Sequence, residues 1–253
     1  MYVKTRGLVI RVTNYNDSDA FLTILTPDRG RISVKAPKLL RRPTKLAAPC
    51  QLLACGEYTL FEYNGKLTLN EAESIELFQP LRGNLEKLSL AFYFTQIADL
   101  TSQEDIPNPE LLSLLLNCLH ALCYMDVHDL QVKAVFELRA TCLAGYYPDL
   151  SGCACCGKSD ADRFNVSMGK LVCSGCHSAY QEGLRMPVSR GSLEAMRYIC
   201  NCDPKKLFSF RIFGDALEQL SQVTETYLTT QLERGFRCLD FYKSLSQTTI
   251  YQE

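Results

Sequence analysis

The sequence predicts an α+β multidomain chain: an N-terminal five-stranded OB-fold barrel, then an α-helical domain that carries a four-cysteine zinc-finger insertion. Three features predict it. In five runs up to residue 76, apolar and polar residues alternate with period two. From Leu81 on, apolar residues recur at helical spacing. Two C-x2-C pairs, Cys153 to Cys156 and Cys173 to Cys176, stand sixteen residues apart.

The first three runs, 5–13, 20–26 and 30–36, are rich in β-branched residues and read as half-buried strands. Pro27, Asp28, Arg29 and Gly30 form a turn between the second and third. Two longer strands, about 51–63 and 66–76, flank Asn64-Gly65, a strong hairpin signal because both turn residues must take φ > 0. Five short strands with one long insertion suggest a small closed barrel. The OB-fold is the expected form and an SH3-like barrel the alternative.

Pro80 marks the change of regime, which sets the expected domains: a barrel over 1–79, a helical domain over 80–243 with a zinc lobe at about 146–185, and a polar tail over 244–253. Leu81, Leu85, Leu88 and Phe92 begin the helical spacing. Asn108 as N-cap and Pro109 at the first helical position start a helix at about 109–124. That helix is apolar nearly all round, so it is expected at a buried centre. Further helices are expected at about 128–144, closed by Gly145, and at 190–200 and 215–233.

Charge is partitioned along the chain. Net charge is only −1, yet residues 1–46 hold ten basic residues against three acids, so the rest of the chain is acidic on balance. The densest stretch is Arg29–Lys45. It contains Arg29, Arg31, Lys35, Lys38, Arg41, Arg42 and Lys45 and no acid, and Pro37 and Pro43 keep its second half out of a regular helix. A basic loop hung on a strand is suited to tracking phosphates, because each cation that meets a phosphate releases condensed counterion. Tyr15, Phe21, Tyr58 and Phe61 are candidates for stacking on bases, with barrel filling as the plainer role.

Thirteen cysteines are many for 253 residues, but their number is odd and their spacing mixed. The N-terminus leads into an alternating strand instead of an apolar h-region, and the longest apolar run is far short of a membrane span. A reducing cytosol is therefore expected, with most cysteines acting as small core residues. The two C-x2-C pairs are the exception. Each supplies two thiolates from one tight turn, and Gly157 and Gly175 are the small residues such turns need. Cys153, Cys156, Cys173 and Cys176 are expected to hold one structural Zn2+, with Cys155 and His177 as neighbouring substitutes. Four protein ligands leave no open position for activating water.

Nothing marks an enzyme. The zinc-deaminase and H-E-x-x-H signatures are absent, as are the Gly-rich phosphate cradles. No small-molecule substrate and no membrane partner are expected.

Taken in order, these features resemble the RecO family, bacterial recombination mediators of DNA repair. In the barrel the resemblance runs through Gly7, Leu8, Val9, Arg11, Tyr15, Asp19, Leu25, Thr26, Gly30 and Lys35. It continues through Leu69–Glu73, Leu77, Phe78, Leu81 and Arg82. The most specific block is Val135–Arg139, then Leu143–Pro148, Cys153–Gly157, Phe164, Gly169–Leu171 and the Cys173 pair. The chain departs from the family at Ala36-Pro37, where a glycine usually follows the lysine of the third strand. The resemblance implies an OB-fold and a helical domain with a zinc site. It implies binding of single- and double-stranded DNA, annealing of complementary strands, and work with RecR to load RecA onto strands coated by the single-stranded-DNA-binding protein SSB. It further implies contact between the helical domain and the acidic SSB tail, and a cytoplasmic bacterial protein that joins the nucleoid during repair. The competing expectation is a protein-protein docking module with a structural zinc and incidental polyanion binding.

Overall fold

A computed structural model describes residues 1–41, 44–176 and 183–250, with backbone alone for the last five. Its residues fall into two compact units, Met1–Cys123 with Arg237–Glu253, and Tyr124–Phe236. The stretches 80–123 and 237–250 are therefore grouped with the barrel, whereas the sequence reading divides the chain near residue 79. No helix of the described residues is long and apolar enough to cross a membrane.

The first unit is built on five strands: β1 (Tyr2–Asn14), β2 (Ala20–Thr26), β3 (Gly30–Ala36), β4 (Cys55–Tyr63) and β5 (Lys66–Glu76). They close into a barrel in the order β1-β2-β3-β5-β4, with the long β1 pairing both β2 and β4. β5 meets β3 in parallel at Val34–Leu67 and Lys35–Thr68. That swap of the last two strands is the Greek-key closure of an OB-fold. An SH3-like meander would keep chain neighbours adjacent. Alternation explains the core: Leu22, Ile24, Ile32, Val34, Leu60, Leu67 and Leu69 point inward and are buried, while their neighbours face out. Asn64 and Gly65 both take positive φ, as the tight β4–β5 turn demands.

Tyr58, one of the expected stacking residues, is fully buried in this core. Its hydroxyl donates to Pro49 O (2.9 Å) and Ala54 O (3.3 Å), tying down the end of the β3–β4 loop. It faces inward because Leu60, two residues on, shares its side of the strand.

The start of β3 is clamped by a later segment. Arg31 N–H donates to Gln103 O and Asp105 N–H donates back to Arg31 O, both at 3.2 Å. Gly30 holds φ +58°, and a Cβ there would fall on the Ile106 carbonyl. Gly30→Ala is expected to cost about 2–3 kcal/mol, from the left-handed backbone and the overlap together. A denaturant midpoint unchanged from the parent would refute this account of the clamp.

α1 (Leu85–Thr101) is capped by Asn84, whose side chain accepts from Lys87 N–H; α2 (Pro109–Tyr124) buries Leu111, Leu112, Leu114, Leu115, Cys118 and Leu119. Residues 244–250 of the expected polar tail are helical. α6 (Arg237–Ile250) packs on α1. Phe236, Leu239 and Tyr242, three apart and buried, give it an apolar stripe that its polar composition hides. Residues 251–253 of the expected tail lie outside the described residues.

The second unit holds α3 (Asp129–Leu143), α4 (Arg190–Asn201) and α5 (Gly214–Gln231), with a small sheet between α3 and α4 in sequence. Its strands are β6 (Asp149–Cys153), β7 (Arg163–Asn165), β8 (Lys170–Val172) and β9 (Arg185–Pro187), in the order β6-β8-β7-β9. Where α3 meets α5, a charged network is buried. Lys133 Nζ lies 3.0 Å from Glu137 and 2.9 Å from Glu225, and donates to Ser221 Oγ at 3.1 Å. Thr224 Oγ1 donates to Glu137 at 2.8 Å. Arg139, one turn on, donates to the carbonyls of Ile199 and Cys200 at the end of α4.

Candidate metal centre and nucleic-acid interface

The two C-x2-C pairs come together. The Sγ atoms of Cys153, Cys156, Cys173 and Cys176 all lie within 4.8 Å of one another. Four sulfurs bound at about 2.3 Å around a tetrahedral ion would stand about 3.8 Å apart. Cys156 and Cys173 are separated by 3.6 Å.

Local backbone explains the cluster. β6 ends at Cys153, and the chain turns at once: Gly157 N–H donates to Cys153 O and Cys153 N–H to Lys158 O, both 2.8 Å, with Gly157 at φ +73°. A side chain at Gly152 would strike the returning Gly157 and Lys158 carbonyls. The second pair forms one 3-10 turn after β8, and Cys176 N–H donates to Cys173 O at 3.0 Å. Parallel pairing of Cys153 with Leu171 brings the two turns side by side.

The donor set suits a soft divalent ion. Burial raises the Cys153 thiol, but backbone N–H groups of Cys156, Cys173 and Cys155 outweigh it and bring the group to about 6. Cys155 is exposed and is not part of the four-sulfur cluster. His177 lies outside the described residues. The sequence reading did not include Asp162, whose carboxylate accepts from Ser174 N–H at 2.7 Å and braces the second turn. No spacing rule points to it.

The described cations of the basic stretch differ in their surroundings. Arg29 is held by Glu62 (3.3 Å) and Asp105 (2.7 Å), and Arg31 by Asp99 at 3.0 Å. These two sit where the 99–106 segment clamps β3, so they are part of the clamp instead of the free cations expected. Lys35 faces outward, 3.5 Å from Asp19. Asp19 is kept below the usual carboxylate range by the N–H of Lys38; desolvation opposes this, and Asn16, Ser18 and Lys35 add to the lowering. Lys38, Arg41 and Lys45 are exposed, with no ion pair among the described residues. Arg42 lies outside the described residues.

Lys35 also belongs to a row that strand register draws around the outer face. Thr13, Phe21, Lys35, Thr68, Phe61 and Tyr2 stand opposite one another in turn across β1, β2, β3, β5 and β4, and back to β1. Tyr15, 64% exposed, meets Phe21 edge-on at 5.3 Å, and Lys35 Nζ lies 5.7 Å from the Tyr15 ring centre. Phe61, 40% exposed, lies 5.3 Å from Tyr2. Of the four candidate stacking residues, Tyr15, Phe21 and Phe61 thus share the outer surface with Lys35. Tyr2 and Thr68 escaped the sequence reading because register across strands distant in the chain cannot be read from alternation alone.

Comparison with known proteins bears on both parts. Residues 1–78 match the family model described as "Recombination protein O N terminal", and residues 82–240 the one described as "Recombination protein O C terminal". The DNA repair protein RecO of Acetivibrio thermocellus is 34% identical over 248 residues, covering 97% of this chain and 98% of the relative. The RecO proteins of Alkaliphilus metalliredigens and Dehalococcoides mccartyi are 27% and 28% identical, each covering 97% or more of both chains. With the barrel, the helical unit and the four-cysteine cluster in place, the chain belongs to the RecO family of DNA repair proteins.

Proposed function

We propose that this protein is a non-enzymatic DNA-binding mediator of recombinational repair. It binds single- and double-stranded DNA, anneals complementary strands and, in a RecF/RecR-type pathway with RecR, helps load RecA onto SSB-coated single strands in the bacterial cytoplasm. The observation that carries the reading is the outward row of Phe21, Lys35 and Phe61 next to the exposed cations of the β3–β4 loop. The β2–β3 face is where OB-folds take oligonucleotides. Aromatic faces accept any base, and the cations meet any phosphate, so the surface suits a ligand of arbitrary sequence. The working set is Lys35, Lys38, Arg41, Arg42 and Lys45, with Tyr15, Phe21 and Phe61 as stacking residues. Arg29 and Arg31 position β3. The four cysteines hold one structural Zn2+.

Salt dependence tests this reading. Four or five phosphate contacts on single strands give a log–log slope of about −3 to −3.5, against about −5 if all seven cations engaged. Lys38→Ala with Arg41→Ala should flatten the slope by about 1.4 and weaken all sequences alike. Arg31→Ala should lower stability and leave the slope alone. A slope near zero in a gel-shift titration, or equal loss from Arg31→Ala, would remove the loop from the interface.

A further inference from the structure

Strand β5 outruns its neighbour. Leu67 and Thr68 pair with β3, but β3 ends at Ala36, and from Leu69 onward β5 is bonded only to β4 on its other side. Among the described residues, no backbone hydrogen bond joins 70–75 to any segment other than β4. Asn70, Glu71, Glu73, Ser74 and Ile75 are exposed, Ile75 at 56%. Such an edge presents unpaired N–H and C=O groups in a row, a template for another strand.

The outward side chains indicate what kind of strand fits. Register sets Lys4, Thr59 and Glu71 in one row across β1, β4 and β5, and Arg6, Glu57 and Glu73 in the next. Arg6 neutralises Glu57 at 3.2 Å. Glu73 faces Glu57 directly, which like charges disfavour. Neither Glu71 nor Glu73 has a cation partner among the described residues. Both rows therefore stop one strand short of a positive charge, and the run ends at Ile75, the exposed extra residue of a bulge between the Gly56–Ser74 and Cys55–Glu76 pairs.

We infer that the free edge of β5 is a docking strand for an extended, basic segment of a partner protein. That segment carries two lysines or arginines two positions apart. Backbone bonds along 70–75 provide the attachment, as in strand addition to other sheets, and the cations opposite Glu71 and Glu73 provide the selection. A second copy of the same edge is disfavoured, because it would set glutamate against glutamate. None of these residues belongs to the cationic loop, so the inference stands apart from the DNA reading.

The test uses the full chain and a labelled ten-residue peptide of alternating lysine and valine, followed by fluorescence anisotropy and by amide exchange over 69–76. Binding is expected, with exchange at 70–75 slowed about tenfold. The same peptide N-methylated along one edge should fail. Glu71→Gln with Glu73→Gln should weaken binding about tenfold with the circular dichroism unchanged. Glu71→Lys with Glu73→Lys should instead prefer a glutamate–valine peptide. Equal binding of the N-methylated peptide, no protection at 70–75, or no effect of the glutamate changes would each overturn the inference. So would a dimer of the parent chain in sedimentation that the Gln pair dissolves, since the occupant would then be a second copy.

Discussion

Cys153→Ala is expected to drop the metal content from one zinc per chain to near zero and to unfold the lobe between Asp149 and Pro187. The lobe is expected to depend on the proposed ion, because its strands are short: β6 has five residues, and β7, β8 and β9 three each. A sheet of that size makes few ladder bonds, and its apolar centre is little more than Leu150, Phe164, Val166, Leu171 and Val172. Structural zinc contributes about 10–16 kcal/mol of apparent binding energy in small zinc peptides, and that energy is folding energy. Its loss exceeds what a few buried side chains can offset. The damage should stay local at first, because α3 and α5 have their own packing. It should also reach α4, since Arg197 donates to Leu150 O (2.9 Å) and Ser159 O (3.0 Å) in the lobe. Elemental analysis and limited proteolysis read the two effects separately: lost metal, and new cleavage within 154–176. Full stoichiometry in both Cys153→Ala and Cys176→Ala would overturn the four-cysteine set and turn attention to Cys155 and His177.

The contrast between the two halves of the site shows which signals a sequence carries. Cysteine spacing was sufficient to pair the thiols, because both cysteines of a pair come from one turn, the first closed by Gly157 at positive φ and the second by the Cys176 N–H bond to Cys173 O. Period-two alternation and the Asn64-Gly65 turn placed β2, β3 and β5 to the residue, since each depends only on neighbours in the chain, while β1 begins three residues earlier and β4 four residues later than expected. The cationic stretch was misleading in part for the opposite reason. Arg29 and Arg31 look as free as Lys38 and Arg41 until Asp99 and Asp105, some seventy residues later, are brought against β3. Tyr58 and Phe61 are both aromatics of β4, but odd spacing sends one into the barrel and the other out. Helix α6 was missed because its buried residues, Leu239 and Tyr242, are outnumbered by polar ones.

Lys133→Met is expected to destabilise the second unit by about 3–5 kcal/mol, although the pair it breaks reads in sequence as an ordinary i,i+4 contact on a helix. On a solvated face such a pair contributes about 0.3–0.5 kcal/mol. Here both side chains are shielded from water, Lys133 at 2% exposure and Glu137 at 0%. Removing the ammonium takes the paired charge from a buried carboxylate that also accepts from Thr224 Oγ1, and takes from Ser221 Oγ the donor it had in Lys133. Burial already pushes the Glu137 carboxyl up, and Lys133 is the main influence pulling it back. In the variant it should therefore rise further. The folded state then takes up a proton at a pH where the unfolded chain, titrating near 4.5, does not. The deficit should shrink as pH falls towards that value and grow as pH rises through the raised one. Urea titrations at two pH values measure this directly. Lys133→Met combined with Glu137→Leu should recover most of the loss, because an apolar pair of similar volume needs no compensation. A single variant that loses less than about 1 kcal/mol at neutral pH, or whose loss does not change with pH, would mean that water reaches the pair and that the network between α3 and α5 does not hold the unit together.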